Sequence, residues 1–139
     1  MSEKKLTVTM AKTNVLAEER RLVSAIPSEY VASHKQLSES YLLSCVAGGY
    51  TWPDKGTVRL TGEPDIHRVL QAVADLYEKD SHFTVQWGHT MDGAQKLTIT
   101  AESGASYIVA PRQNDSELQI AAFSDCFELP DDEWAGGKY

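Results

Sequence analysis

The sequence predicts an α+β fold, a two-layer sandwich in which an antiparallel meander sheet of about five strands carries two helices on one face. Two segments space their apolar residues as amphipathic helices do, and the second half of the chain alternates apolar and polar residues in short runs. Short connections join antiparallel neighbours, and strands with one apolar face need covering on one side only. We expect residues 1–12 to be a flexible lead-in and residues 13–139 to form a single domain.

The first predicted helix begins at Asn14, with Thr13 or Asn14 as its N-cap, and ends at Pro27. The residues with helical spacing are Val15, Leu16, Glu19, Leu22, Val23 and Ile26, and four of these six form one face if Glu19 is allowed at its edge. The second helix follows Pro64 and has the clearest pattern in the chain. Its apolar stripe consists of Ile66, Val69, Leu70, Val73, Leu76 and Tyr77.

The segment between these helices has a weaker pattern. Residues 28–47 favour no single element, and residues 37–46 fit a helix or a strand equally. Residues 50–56 are predicted as a loop and residues 57–61 as a half-buried strand. After the second helix come four alternating runs, which include residues 83–87, 97–101, 107–109 and 118–122. Their short turns, among them an Asp-Gly pair at Asp92, predict the meander.

Charge and composition exclude several classes of protein. The 139 residues include 13 basic and 20 acidic side chains, for a formal net charge of −7. Binding to a phosphate backbone needs clustered Lys and Arg, so we expect no nucleic-acid partner. No apolar run approaches the roughly 20 residues of a membrane span, and residues 1–5 lack the apolar stretch of a secretory signal. The sequence as given therefore predicts a soluble chain without a membrane span or a targeting segment.

No motif predicts catalysis or cofactor binding. A nucleophile elbow, a phosphate-binding loop and a dinucleotide fingerprint are all absent. The four histidines, His34, His67, His82 and His89, lack the spacing of metal ligands, and the acidic run at residues 131–133 is typical of a solvated surface. We expect a protein that is not an enzyme, with no catalytic residue, no cofactor and no metal site.

Four aromatic residues outside the predicted helices and strands are candidates for a binding surface: Tyr50, Trp52, Trp134 and Tyr139. Exposed aromatic side chains anchor many protein interfaces. The alternative, which the sequence favours, is that they fold back as lids over the ends of the sandwich.

The chain contains two cysteines, Cys45 and Cys126. They form no Cys-x-x-Cys motif and have no histidine at ligand spacing, which argues against a zinc site. Their spacing alone is compatible both with two buried free thiols and with one disulfide.

The order of several short motifs resembles a known family. A helix ending in Ile-Pro at residues 26–27 is followed by LLSC at 42–45, YTW at 50–52 and TVRL at 57–60. A helix with Val69-Leu70 comes next, and SDCFELP closes the order at residues 124–130. Over residues 14–134 this order is similar to that of small, uncharacterised lipoproteins of the actinobacterial cell envelope, whose late S-x-C-F-x-L-P segment is the most specific motif.

The resemblance implies export, a disulfide between Cys45 and Cys126, and a role at the envelope, but no catalytic residue. In that family a soluble α+β domain follows a lipid-modified cysteine. The chain as given has no such cysteine and no signal peptide. The resemblance therefore implies that a lipid anchor was lost with the N-terminus; the alternative is a protein that stays in the cytoplasm.

These observations lead to one functional hypothesis and two alternatives. The first is a non-enzymatic domain of an envelope-anchored lipoprotein, extracytoplasmic, which binds an unknown protein or small ligand. The second is a cytosolic immunity or antitoxin-type protein that neutralises a toxin through an acidic face, since acidic surfaces attract basic partners. The third, a small hydrolase, would require a deep pocket that holds a pair of groups with shifted pKa values.

Overall fold

A computed structural model of the chain describes residues 5–112 and 114–139. Two helices, α1 (Val8–Ser24) and α2 (Ile66–Glu78), accompany eight strands. The strands are β1 (Val31–Lys35), β2 (Leu43–Ser44), β3 (Tyr50–Thr51), β4 (Pro53–Leu60), β5 (Phe83–His89), β6 (Gln95–Ala101), β7 (Ser106–Arg112) and β8 (Glu117–Phe123). A short 3₁₀ turn, Ser28–Tyr30, connects α1 to β1. Within these residues, neither helix is long and apolar enough to cross a membrane.

The strands form one antiparallel sheet of six, in the order β1-β4-β8-β7-β6-β5, and a separate antiparallel pair, β2-β3. The predicted α+β class, the two helices and the antiparallel sheet are confirmed, and β5 to β8 form the expected meander. The number of strands differs from the predicted number of about five. Helix α2 carries the chain from β4 to the opposite edge of the sheet, where β5 lies. Strands β5 to β8 then follow one another back across the sheet, so that β8 pairs with β4.

Helix α1 begins six residues earlier than Asn14, the start that the sequence predicts. Thr7 is its N-cap, and the Thr7 hydroxyl accepts a hydrogen bond of 3.1 Å from the Met10 amide. Ala11 lies one turn before Val15 and is buried with it, so the helix already packs on the core in its first turns. Part of the expected lead-in is therefore helical, while residues 1–4 lie outside the described residues.

Residues 50–56, expected to be a loop, contain β3 and the first half of β4. Strand β4 lies between β1 and β8, and its inward positions are Asp54, Gly56 and Val58. Two of these three positions lack an apolar side chain, so the alternation that marks a strand is hidden. In β1, a register shift in the pairing with β4 between Val31 and Ser33 interrupts the alternation of the strand.

Both helices pack against one face of the large sheet. Helix α1 contacts β4 and β8, whereas α2 contacts β5 and β6, and the Tyr77 ring meets Phe83 edge-on at 4.8 Å. The largest fully buried apolar side chains between the layers include Leu22, Leu70, Tyr77, Leu97, Ile99, Leu118 and Ile120. Burial of this apolar surface supplies most of the stability of the fold.

Candidate functional site

Cys45 and Cys126 form a disulfide, with their Cα atoms 6.4 Å apart and a sequence separation of 81 residues. Cys45 immediately follows β2, and Cys126 lies between β8 and the C-terminal tail. The disulfide implied by the resemblance is thereby confirmed, and the alternative of two free thiols is wrong.

The disulfide joins two segments, residues 40–50 and 126–139, which we call the cap. Two further contacts hold these segments together. Tyr50 and Phe127 exchange backbone hydrogen bonds of 2.8 Å in both directions, and Ser40 and Tyr139 exchange backbone hydrogen bonds of 2.9 and 3.0 Å. The cap is therefore fixed by a covalent bond and by two backbone pairs rather than being a loose end of the chain.

Trp52 is fully buried, so its predicted place in an exposed binding surface is wrong. Its backbone amide donates to Ser124 Oγ at 2.8 Å, and its indole Nε1 donates to the carbonyl oxygen of Tyr139 at 2.7 Å. Trp52 therefore belongs to the core, and its indole group binds the last residue of the cap, Tyr139.

The other three predicted aromatic residues all lie in the cap, with different exposures. Tyr50 and Tyr139 are half-buried and pack against the core. The Tyr139 hydroxyl donates a hydrogen bond of 2.7 Å to the carbonyl oxygen of Trp134. The side chain of Trp134 is the one that faces solvent, with 77% of its surface exposed.

The cap also exposes three large apolar side chains that the sequence analysis missed: Tyr41, Leu43 and Val46. Leu42, between the first two, packs against the core, so Tyr41 and Leu43 point outward as alternate residues of an extended segment do. Because Tyr41, Leu42 and Leu43 are consecutive apolar residues, the sequence gives no alternation from which the outward positions could have been predicted. Together with Trp134 they form a set that we call the apolar patch.

The apolar patch is unusual for the surface of this protein. Of the eight large hydrophobic side chains that are exposed in the described residues, four lie in the cap, which makes up less than a fifth of the chain. Exposed apolar side chains that are concentrated in one region mark interaction sites more often than isolated ones do.

The C-terminal segment of the cap also carries acidic side chains. The cap contains the exposed residues Glu128, Asp131, Asp132 and Glu133. Its single basic residue, Lys138, lies over the Tyr41 ring at 5.3 Å and 3.8 Å from a carboxylate oxygen of Glu39. The cap thus exposes both apolar and acidic side chains.

A cleft of about 580 Å³ borders the cap, between the segment that leads into α1 and the C-terminal tail. Leu6 and Val8 supply apolar surface on one side, and Leu129 and Pro130 supply it on the other. Glu128 and Glu133 add two acidic side chains to the lining. The cleft is large enough for a small molecule.

A second cluster, of titratable side chains, lies below the sheet surface between α1, β1 and β4. Glu19 is completely buried, and its Oε2 lies 2.6 Å from His34 Nε2. Asp54 is also buried, and its Oδ1 accepts a hydrogen bond of 2.8 Å from the Leu37 amide. Gly56 makes room for this cluster, because a Cβ at that position would lie 2.5 Å from Glu19 Oε2.

The two carboxyl groups of this cluster are placed to share a proton. Glu19 Oε1 and Asp54 Oδ2 are buried without another donor, and the two groups lie within hydrogen-bonding reach of each other. Burial raises the pKa of Glu19; burial, followed by the hydrogen bond with Glu19, raises the pKa of Asp54 to about 7. Burial also lowers the pKa of His34. Among the described residues, no three His, Cys, Asp or Glu side chains are grouped to hold a metal ion.

We expect Asp54→Asn to become more stable relative to the wild type as the pH rises. The pKa of Asp54 is higher in the folded protein than the 3.8 of an unperturbed group, so its contribution is complete below that value and is lost as the pH rises through about 7. The side-chain amide that this substitution introduces would keep the hydrogen bond to Glu19 at every pH. Between about pH 5 and pH 8 the variant should gain about 2 kcal/mol on the wild type in urea denaturation.

The variant must be compared with the wild type at each pH, because His34 changes the stability of the fold with pH in the direction opposite to Asp54. Its lowered pKa stabilises the fold above the unfolded value of 6.5, and that contribution is lost as the pH falls. Asp132→Asn, at an exposed position, is the matched control and should follow the wild type at both pH values. Parallel pH profiles for Asp54→Asn and the wild type would show that no proton is shared.

The fold is similar to that of a crystallised DUF4853 family protein from the actinobacterium Actinomyces odontolyticus, with a TM-score of 0.55. The alignment covers 92% of this chain and 73% of that chain, with 11% sequence identity. No family model matches the chain, and no curated protein matches it in sequence. At this identity the likeness carries the fold alone, and at that level it agrees with the resemblance to an actinobacterial family.

Proposed function

We propose that the chain is a non-enzymatic binding domain that works outside the cytoplasm and recognises a protein through the cap. The observation that carries the proposal is the apolar patch, which lies on a cap whose two segments the Cys45–Cys126 disulfide joins. Structural disulfides persist in oxidising compartments and are rare in the cytosol. The resemblance to envelope lipoproteins supports the same compartment, where an N-terminal lipid anchor would hold the domain at the membrane surface.

The chemistry of the cap indicates what kind of partner it suits. An apolar centre surrounded by charged side chains is typical of protein interfaces. The acidic residues around Trp134 favour a partner with Lys or Arg around an apolar contact, since charge complementarity increases the rate and the specificity of association. A cap whose two segments are already joined by a disulfide loses less conformational entropy on binding than a free loop does. A small ligand would instead occupy the cleft beside the cap.

The titratable cluster favours a binding domain over a hydrolase. A hydrolase needs its groups with shifted pKa values where a substrate can reach them. Glu19 is fully buried and Asp54 is 4% exposed, and their hydrogen bonds hold α1, β1 and β4 together. The cluster therefore supports the packing of these elements and is not open to a substrate.

A cytosolic protein that neutralises a toxin is the second candidate. The acidic residues at 131–133 would suit the basic surface of a toxin equally well. The two candidates place the same surface in different compartments, so the partner that the cap contacts in the cell separates them.

In-cell photocrosslinking tests the proposal. A photoreactive phenylalanine replaces Leu43 in one variant and Trp134 in another, and both are produced from the full-length gene in the native host. Met91, an exposed large side chain in the β5–β6 turn outside the cap, is the matched control position. We expect the same envelope protein to be crosslinked from both cap positions and not from position 91. Tyr41→Ser should weaken this crosslink at least about fivefold, a loss of about 1 kcal/mol.

Three other outcomes have defined meanings. Crosslinks to a cytosolic protein from both cap positions would support the toxin-neutralising alternative and contradict an extracytoplasmic role. Crosslinks from position 91 alone would place the interface away from the cap. No crosslink from either cap position would contradict recognition of a protein through the apolar patch.

A further inference from the structure

The two edges of the large sheet differ in how they are protected. Strand β1 has five residues, and its pairing with β4 shifts register between Val31 and Ser33. Such bulges and short lengths protect an edge against pairing with another chain. Strand β5 has seven residues and pairs with β6 without any shift along its whole length, so it offers a long and regular free edge.

The backbone groups of β5 that remain free can be identified from the alternation of its hydrogen bonds. The Phe83 amide donates to Asp80 rather than to β6, and the Thr90 amide donates to Ala94 across the hairpin. In an antiparallel pair, alternate residues bond to the neighbour and the others point away. The amides and carbonyls of Val85, Trp87 and His89 therefore point outward, where no described strand pairs with them.

The side chains of β5 provide none of the usual protection either. In a chain where 24% of the residues are charged, the strand FTVQWGH contains no Asp, Glu, Lys, Arg or Pro. On the side facing the helices, Phe83 and Val85 are only partly buried. Trp87 stacks on His67 at 5.4 Å and remains 38% exposed. An edge with these properties pairs readily with a further strand.

We propose that this further strand is β5 of a second copy, antiparallel about a twofold axis through Gln86, which joins two six-stranded sheets into one continuous sheet. In this register Val85 of each copy faces Trp87 of the other, and both residues have outward backbone groups to exchange. The pair also brings a β-branched side chain against an aromatic one, which stabilises cross-strand contacts. The protein has a net charge of −7, but β5 carries no charged residue. The pairing therefore places no like charges of the two β5 strands opposite each other.

Charge substitution at the axis tests the dimer. Gln86 is exposed, so Gln86→Lys and Gln86→Glu leave the packing of the monomer intact but place two like charges opposite each other in the dimer. By sedimentation velocity we expect a wild-type dimer at about 100 µM and at least about tenfold weaker association for each variant. An equimolar mixture of the two variants should dimerise again. A wild-type monomer at this concentration, or a dimer that both substitutions leave unchanged, would overturn the proposal.

Engineered cysteines test the register independently. In the proposed dimer Gln86 faces its own copy in a non-hydrogen-bonded pair, with Cα atoms about 4.5 Å apart, a separation that a disulfide spans. Thr98, which pairs with Gln86 in β6, is the matched control, since the two copies of it would lie about 14 Å apart. We expect Gln86→Cys to form a covalent dimer on oxidation and Thr98→Cys to stay monomeric. Equal dimer yields from both variants, or no dimer from Gln86→Cys, would contradict the register. Neither experiment involves the cap, so its outcome is independent of the proposed function.

Discussion

Replacing both Cys45 and Cys126 by serine is expected to lower the free energy of unfolding by about 3 kcal/mol. The disulfide closes a loop with a sequence separation of 81 residues, and the chain-entropy model assigns about 4–5 kcal/mol to a loop of that length. We expect less than this upper figure because a denatured chain retains some structure. Urea denaturation of the oxidised wild type and of the double variant measures the difference.

Reductant provides the matched control for this prediction. It should destabilise the wild type by a similar amount and leave the double variant unchanged. Hydrogen exchange gives a local readout, because the amides of Tyr50 and Phe127 should lose protection while those of β6 and β7 change little. A loss of stability below about 1 kcal/mol, with unchanged exchange in the cap, would show that the disulfide does not hold the cap in place.

Trp52→Ala is expected to be the most destabilising single substitution of a predicted site residue, at about 4 kcal/mol. The side chain is fully buried, so its removal leaves a large cavity and takes away one of the two hydrogen bonds that the Tyr139 carbonyl accepts. Trp52→Phe keeps much of the packing but loses the indole hydrogen bond of 2.7 Å, and we expect a smaller loss of about 2 kcal/mol. Circular dichroism in urea measures both variants without relying on tryptophan fluorescence.

Trp134→Ala is the matched control, because the same residue type is 77% exposed there. Its free energy of unfolding should stay within about 0.5 kcal/mol of the wild type. A larger loss for Trp134→Ala than for Trp52→Ala would contradict the burial of Trp52 in the core and the exposure of Trp134 to solvent.

The elements that the sequence predicts well are those whose inward positions are apolar throughout. Helix α2 carries an uninterrupted stripe of apolar residues, and β5 to β8 alternate in runs bounded by turn residues. Strand β4 was missed in its first half because Asp54 and Gly56 occupy inward positions. Both residues are explained by Glu19 on α1, which occupies the space beside Gly56 and shares a proton with the Asp54 carboxyl group.

The candidate site was predicted only in part, because some of its residues are placed by contacts with distant parts of the chain. Trp52 is followed by Pro53 and Asp54, a local sequence typical of a loop, yet its amide pairs with Ser124, 72 residues further along the chain. Such long-range pairing leaves no local signal. The disulfide came from the family resemblance and not from the spacing of the cysteines, and Tyr41 and Leu43 were hidden in a run compatible with a helix or a strand.

The most direct test of an extracytoplasmic cap is the oxidation state of Cys45 and Cys126 in the cells that produce the protein. Cells carrying the full-length gene are quenched with acid, and free thiols are alkylated with a reagent of known mass before and after reduction. We expect no alkylation before reduction, two alkylated cysteines after it, and degradation of the protein by protease added outside the cell membrane. Two free thiols in freshly quenched cells, on a protein that external protease does not reach, would contradict the account.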